Sequence, residues 1–264
     1  MRAGQARLTT ISVTDHDTVA AVAAVTAAAR RANMRVVPGI EITSIDEGKD
    51  VHVLGYFFDP ANAALATFLE GQRALRVGRV RDIAMRLSTL GMPVDVEAVL
   101  RAAANRPGSS IGRPQLAREL VAAGYVESVQ EAFDQWLATG KPAYVPRTGP
   151  SPATVIEVIH DAGGVASFAH PGVTRRDVLI PALVDRGLDA IEVYHSDHAP
   201  EEERTYASLA TRLGILISGG SDFHGDDPRR PGVRARRGVL GVVSLPAPAF
   251  EALETRAQQR KHPS

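Results

Sequence analysis

What limits the possible folds of this chain is a recurring succession of β-rich runs and helix-forming segments, with a histidine or a carboxylate near the end of most runs. Leu8–Val13 (LTTISV) is β-rich and stops at Thr14-Asp15-His16-Asp17. An alanine-dense helix is expected over Ala20–Ala32, and a second strand, Arg35–Val37, runs into Pro38-Gly39-Ile40-Glu41. Asp50–Phe58 is a third strand candidate and carries His52. Strand, helix, strand at this spacing is the pattern of a βαβ unit and predicts a parallel sheet.

From about Ala61 to Gly149 the pattern becomes helical, with arginines alternating with aliphatic residues and a break at Asn105-Arg106-Pro107-Gly108. The stretch KPAYVPRTGPSP, with four prolines, closes it. We expect residues 61–150 to form a helical insertion that caps a discontinuous barrel built from residues 1–60 and 151–264. After it the rhythm resumes: a helix over Pro152–Ala162, a short strand in GVASFAHPG, a helix over Asp177–Arg186, the strand DAIEVYH and a helix over Glu201–Leu213. The strand ILISGG then leads into Ser221-Asp222-Phe223-His224, and a last strand is expected at Gly238–Leu245 before a helix over Ala247–Gln259.

Composition removes several classes of function. Thirty basic and thirty acidic side chains cancel, so no global positive field exists to hold long nucleic acid. The absence of cysteine excludes a disulfide scaffold, a thiolate-ligated zinc or iron–sulfur site and a cysteine nucleophile. No apolar run reaches the roughly 18 residues of a membrane span, and MRAGQARLTT lacks the apolar stretch of a signal peptide. A cytoplasmic α/β enzyme is the expectation.

The chain has eight histidines, and their placement points to metal chemistry. His16, Glu41, His170, His195, Asp222 and His224 follow or end strands, and His52 lies within one. In parallel α/β folds the strand C-termini converge on one face, where such folds place their sites. Imidazoles and carboxylates gathered on one rim supply the N and O ligands of a multi-metal centre. Taken singly, each has a plainer explanation. An in-strand His52 is often a hydrogen-bonded core residue, Glu41 could cap a helix, and Asp15 and Asp17 could belong to a loop. For His160, inside a helix, and His262, in the tail, the plain explanation is kept. So many candidates at strand ends are jointly improbable as accidents. Gly108-Ser109-Ser110-Ile111-Gly112 matches the G-x-S-x-G nucleophile pattern but follows a polar, proline-broken segment instead of a strand, and is rejected.

Thr14-Asp15-His16-Asp17, Pro38-Gly39-Ile40-Glu41, His52 in VHVLGY, Ala169-His170-Pro171 and Ser221-Asp222-Phe223-His224-Gly225 resemble the motifs of the PHP (polymerase and histidinol phosphatase) family. The helical insertion and the segment GRPQLARELV are similar to its branch of nucleoside 3′,5′-bisphosphate phosphatases and short-RNA 5′–3′ exonucleases. The resemblance implies a distorted (β/α)7 TIM-like barrel. It also implies up to three divalent metals, manganese first with zinc, iron or magnesium as other occupants. By the same resemblance His16, Glu41, His52, His170, Asp222 and His224 are ligands, with Glu41 bridging two metals.

The family opens with a strand carrying His-x-His, followed by an Asp. Here the fifteen residues before His16 contain no histidine, and Asp15 is their one aspartate. The first strand and three ligands are therefore expected to be missing. Either Met1 is an internal methionine of a longer product, which the intact remaining ligands favour, or the chain binds metal incompletely.

For the substrate, the resemblance places Arg113 against phosphate, which its planar fork suits. Gln115 stands where relatives carry His. Arg76 and Arg79 could share one helix face, against the alternative of a solvated basic face, and Lys141 and Tyr144 are weaker candidates. His198 is expected to contact phosphate or protonate the leaving oxygen, while His195 is either an alternative ligand or a surface residue. The five arginines at 229, 230, 234, 236 and 237 could hold an RNA backbone or be a mobile surface loop.

The expected function is metal-dependent hydrolysis of a small nucleotide's phosphate ester or of the 5′ end of short RNA. The alternatives are a catalytically impaired phosphate-binding module and a histidinol-phosphatase-like enzyme. Partners are expected to be small phosphorylated molecules or short oligonucleotides.

Overall fold

Glu47 and Gly48 both have positive φ, 47° and 75°, as the two central residues of a tight hairpin turn require. They fold β2 (Arg35–Asp46) back onto β3 (Lys49–Tyr56) as an antiparallel ladder. The structure is a computed structural model describing residues 2–104, 111–224 and 239–261. Two expectations change here. The strand expected to end at Val37 runs on through Glu41 to Asp46, and the next strand is its antiparallel neighbour, not a further member of a parallel set. The reason lies in the period-two alternation of Ile40 and Ile42 with Glu41 and Thr43, which keeps the chain extended until the turn at Glu47-Gly48 reverses it.

The sheet has six strands in the order β1 (Thr10–Val13), β2, β3, β4 (Val165–Phe168), β5 (Ala190–His195), β6 (Leu216–Gly220). β1–β2, β4–β5 and β5–β6 are parallel, whereas β2–β3 and β3–β4 are antiparallel. Among the described residues this is a mixed, curled half-barrel. The last strand expected is absent: residues 239–243 form turns, and Gly238 lies outside the described residues.

One face of the sheet is apolar. Ile40, Ile42, Val51, Val53, Phe168, Ile191 and Val193 pack with Ile156, Ile159 and Tyr206 of the covering helices Pro152–Asp161 and Pro200–Leu213. Gly55 gives this layer room, because a Cβ there would stand 3.0 Å from Ile40 and 3.1 Å from Ile159 side-chain carbons, which would have to shift by a few tenths of an ångström. The opposite face carries Glu41, Thr43 and His52 beside Leu54, so alternation sets these polar side chains on the far side of the sheet from this core.

The helix Ala63–Thr89 links two cores. Asn62 caps it by accepting the Leu65 N–H at 2.9 Å. Leu65 and Leu69 join the sheet's core, whereas Val80, Ile83 and Leu87 belong to a separate cluster with Leu116, Leu120 and Leu137. The C-terminal helix Ala247–Lys261 packs Leu253 and Ala257 against Val37, Phe57, Val165 and Ala190. No helix among the described residues is long and apolar enough to cross a membrane.

Candidate metal centre

Alternation puts Glu41 and His52 on one face of the β2–β3 hairpin. Glu41 pairs with Leu54 and Thr43 with His52, so the two side chains are diagonal neighbours. The His16 segment is laced to the same strand: the Glu41 N–H donates to the Asp15 carbonyl at 3.2 Å, and the Asp17 N–H to the Glu41 carbonyl at 2.9 Å. His170 follows β4 with φ at +27°, a conformation that side chains rarely adopt. Its N–H is held by Glu192 Oε2 at 2.8 Å.

These four residues converge. Glu41 Oε1 lies 2.6 Å from His52 Nδ1 and 3.1 Å from His170 Nε2, and Glu41 Oε2 lies 3.6 Å from His16 Nδ1. One ligand atom each from His16, Glu41 and His52 fall within 4.8 Å of one another. Burial acts to raise the Glu41 carboxyl, but hydrogen bonds from His170 and His52 and the nearby His16 outweigh it and hold it well below the usual carboxylate range. Burial lowers His16, with Glu41 opposing, and its buried Nδ1 has no hydrogen-bond partner. An ionised carboxylate among imidazoles, one with an unpartnered nitrogen, fits a divalent cation.

Asp222 and His224 form the other side. Asp222 has φ at +47°, and its Oδ2 lies 3.7 Å from His195 Nε2. His224 Nδ1 is 2.7 Å from the Asp222 carbonyl oxygen and 3.3 Å from Oδ1. Burial raises the Asp15 carboxyl while the charge of His224 opposes it, so the segment before His16 reaches toward Asp222-Phe223-His224. The rings of His16, His52, His170 and His195 follow one another with centroids 5.0, 5.3 and 5.4 Å apart.

His198 is not placed as expected. It is 2% exposed, its Nδ1 faces the Val193 carbonyl at 2.8 Å, and its Nε2 accepts the Gly172 N–H at 3.1 Å. Both ring nitrogens are spent on backbone, so this side chain braces the turn after His170 and is not poised to meet a phosphate. Arg76 is equally committed, to buried Asp17 through Nε (2.6 Å) and Nη2 and to Thr43 Oγ1 (2.8 Å). Arg113 donates to the Leu137 carbonyl at 3.2 Å and lies 5.7 Å from the ring centres of both Phe133 and Tyr144. Lys141 is exposed. His160 pairs with Asp189 at 2.8 Å, a structural role. The five-arginine run, His262 and most of the G-x-S-x-G match lie outside the described residues.

Sequence reading passed over Glu192 and Arg147. Glu192 sits three residues before His195, a spacing that puts side chains on opposite faces of a regular strand. A register shift between Glu192 and Tyr194 restores them to one face. The signal was the one carboxylate within the strand-forming stretch AIEVY. Burial pushes the Glu192 carboxyl up to about 7, with His195 and the His170 N–H opposing. Arg147 lines a cleft with Asp17, Thr43, Arg76 and Arg79; burial and the charge of Arg76 push it down to about 10.

No family model matches the chain. Individual proteins do. It is 36% identical to the 5′–3′ exoribonuclease Rnm of Salmonella typhimurium, over 84% of this chain and 78% of that protein. It is 34% identical to the 3′,5′-nucleoside bisphosphate phosphatase of Chromobacterium violaceum, over 81% and 76%. Among solved structures, a protein of Bifidobacterium adolescentis described as a metal-dependent phosphoesterase superposes with a TM-score of 0.80 at 31% identity, over 96% of this chain and 88% of that one. An amidohydrolase of Chromobacterium violaceum, solved with sulfate and without metal, gives 0.78 at 30% identity, over 97% and 89%. With four imidazoles and two carboxylates disposed as described, and with relatives of this kind, the chain belongs to the PHP-like family of metal-dependent phosphoesterases.

Proposed function

We propose that this protein hydrolyses phosphate esters of small nucleotides, a nucleoside 3′,5′-bisphosphate or the 5′ end of a short RNA, with manganese as its first-choice ion and up to three ions in a complete site. The observation that carries the reading is the convergence of His16, Glu41 and His52 within 4.8 Å around a carboxylate that stays ionised. In this reading His16, Glu41, His52, His170, Asp222 and His224 hold the ions. Divalent cations, when bound, supply a water of lowered pKa, a grip on phosphoryl oxygens and charge for the leaving alkoxide.

The chain's other residues serve binding. The helical segment of residues 61–150 acts as a cap on the sheet formed by 1–60 and 151–264. Its cations are crowded: burial and the nearby Arg113 lower Arg79, and burial and Arg76 lower Arg147. A phosphate dianion relieves such crowding, and Arg113, with Arg79, Arg147 and the exposed Lys141, would receive it. Arg76 then acts by holding Asp17 beside His16 instead of touching substrate. His198 has no catalytic part.

The test is phosphate release from a nucleoside 3′,5′-bisphosphate and nucleotide release from a short 5′-phosphorylated RNA by metal-stripped protein with and without Mn2+. Turnover that requires Mn2+ and disappears in Glu41→Gln supports the reading. Mn2+ and nucleotide binding without turnover of either substrate would replace it with the phosphate-binding module.

A further inference from the structure

His195 is wholly buried, and its two ring nitrogens differ in a way that defines its proton. Nδ1 accepts the Asp197 N–H at 3.1 Å, so the neutral ring carries hydrogen on Nε2. Nε2 is buried without a hydrogen-bond partner and looks toward Asp222, whose Oδ2 is 3.7 Å away. Buried donors nearly always find an acceptor, and an exception calls for an explanation. A protonated Nε2 is also no metal ligand.

The next residue reinforces the geometry. The Ser196 hydroxyl donates to the Ser221 carbonyl, so two successive residues at the end of β5 address two successive residues after β6. Asp222 holds φ at +47°, a left-handed conformation that aspartate tolerates better than most side chains. The register shift in β5 turns His195 inward alongside Glu192.

We infer that His195 is a positioning residue: its Nε2–H directs the Asp222 carboxylate toward the cation, while Ser196 fixes the backbone that carries it. This rests on the reading of Asp222 as a ligand. A histidine donor on a ligating carboxylate raises the ion's affinity without touching it, and losing such a partner typically costs about 10- to 100-fold.

The experiment is calorimetric titration of the metal-stripped full chain with Mn2+, for wild type, Asp222→Asn, His195→Leu, His195→Asn and His195→Gln. Thermal unfolding without metal establishes that each is folded. Asp222→Asn and His195→Leu should weaken the same binding step, His195→Leu by about 10- to 100-fold. His195→Asn, whose amide is too short to reach, should match Leu and stands in if Leu fails to fold. His195→Gln, whose amide N–H can occupy the place of Nε2, should recover most of the loss. A wild-type isotherm for folded His195→Leu or His195→Asn, or a Gln variant as defective as either, would overturn the inference. A wild-type isotherm for Asp222→Asn would instead overturn the ligand reading beneath it.

Discussion

Glu41 and His52 touch at 2.6 Å across the β2–β3 ladder although neither is the other's register partner. They meet as diagonal neighbours on the face of the hairpin opposite Ile40 and Ile42, and His170 arrives on the same carboxylate oxygen from β4. One buried carboxylate thus organises three strands. Glu41→Gln keeps the shape and removes the charge. It should lower Mn2+ affinity by about 100-fold or more and phosphate release with it, while the fold persists. Titration calorimetry with circular dichroism checks both.

Asp17 is 1% exposed and takes its charge compensation from Arg76, with its Oδ1 accepting the Thr43 N–H at 2.8 Å. Removing the arginine strands a buried anion next to His16. Arg76→Ala should cost about 3 kcal/mol, and Arg76→Ala with Asp17→Asn should cost less than the two added separately. A double-mutant cycle by urea denaturation measures the coupling.

Asp189 ties three parts of the chain together, accepting from His160 at 2.8 Å, the Ala166 N–H at 3.0 Å, Arg260 at 2.7 Å and Arg256 at 3.2 Å. Burial acts to raise its carboxyl, but the bonds from His160 and Ala166 prevail and lower it below 3.8. A carboxyl depressed by folding stabilises fully above its unfolded pKa and loses that contribution as pH falls through the folded value. Asp189→Asn should therefore cost about 3 kcal/mol at pH 7. The gap from wild type should close as pH falls below 3.8, which denaturation at a series of pH values would follow.

Gly172 allows His198 to lie against the backbone, since a Cβ there would stand 2.7 Å from the ring's Cδ2. His198→Ala leaves the Gly172 N–H and the Val193 carbonyl unsatisfied, so it should cost about 1–3 kcal/mol of stability. Gly172→Ala should also destabilise, by overpacking. Both are read in melting curves, and a His198→Ala protein as stable as wild type would overturn the bracing role.

Arg113 lies 5.7 Å from the ring centres of both Phe133 and Tyr144. Arg113→Ala should raise KM for a nucleoside bisphosphate by about tenfold, the worth of one charge-assisted contact, with kcat little changed. Steady-state kinetics separates the two.

The candidate ligands His16, Glu41, His52 and His170, which the fold brings together, could be picked out because strand-forming runs and their ends are written locally, in alternation and turn residues. The helical character of Ala63–Thr89, Val96–Ala104 and Arg113–Ala122 was legible for the same reason. The antiparallel course of β3 hung on Glu47-Gly48, which reads as a turn but leaves open whether β2 has already ended at Pro38. Glu192 and His195 share a face only because β5 slips register against β6, a property of the pairing and not of either segment. The partners that define Arg76, His198 and His170 are likewise out of local reach: Asp17 lies 59 positions from Arg76, and Glu41 129 from His170. Hydrophobic period is a property of neighbours along the chain, so it marks elements and candidate ligands. Which nitrogen is free, which charge is paired and which carboxylate is buried depend on groups brought together only when the sheet closes its polar face.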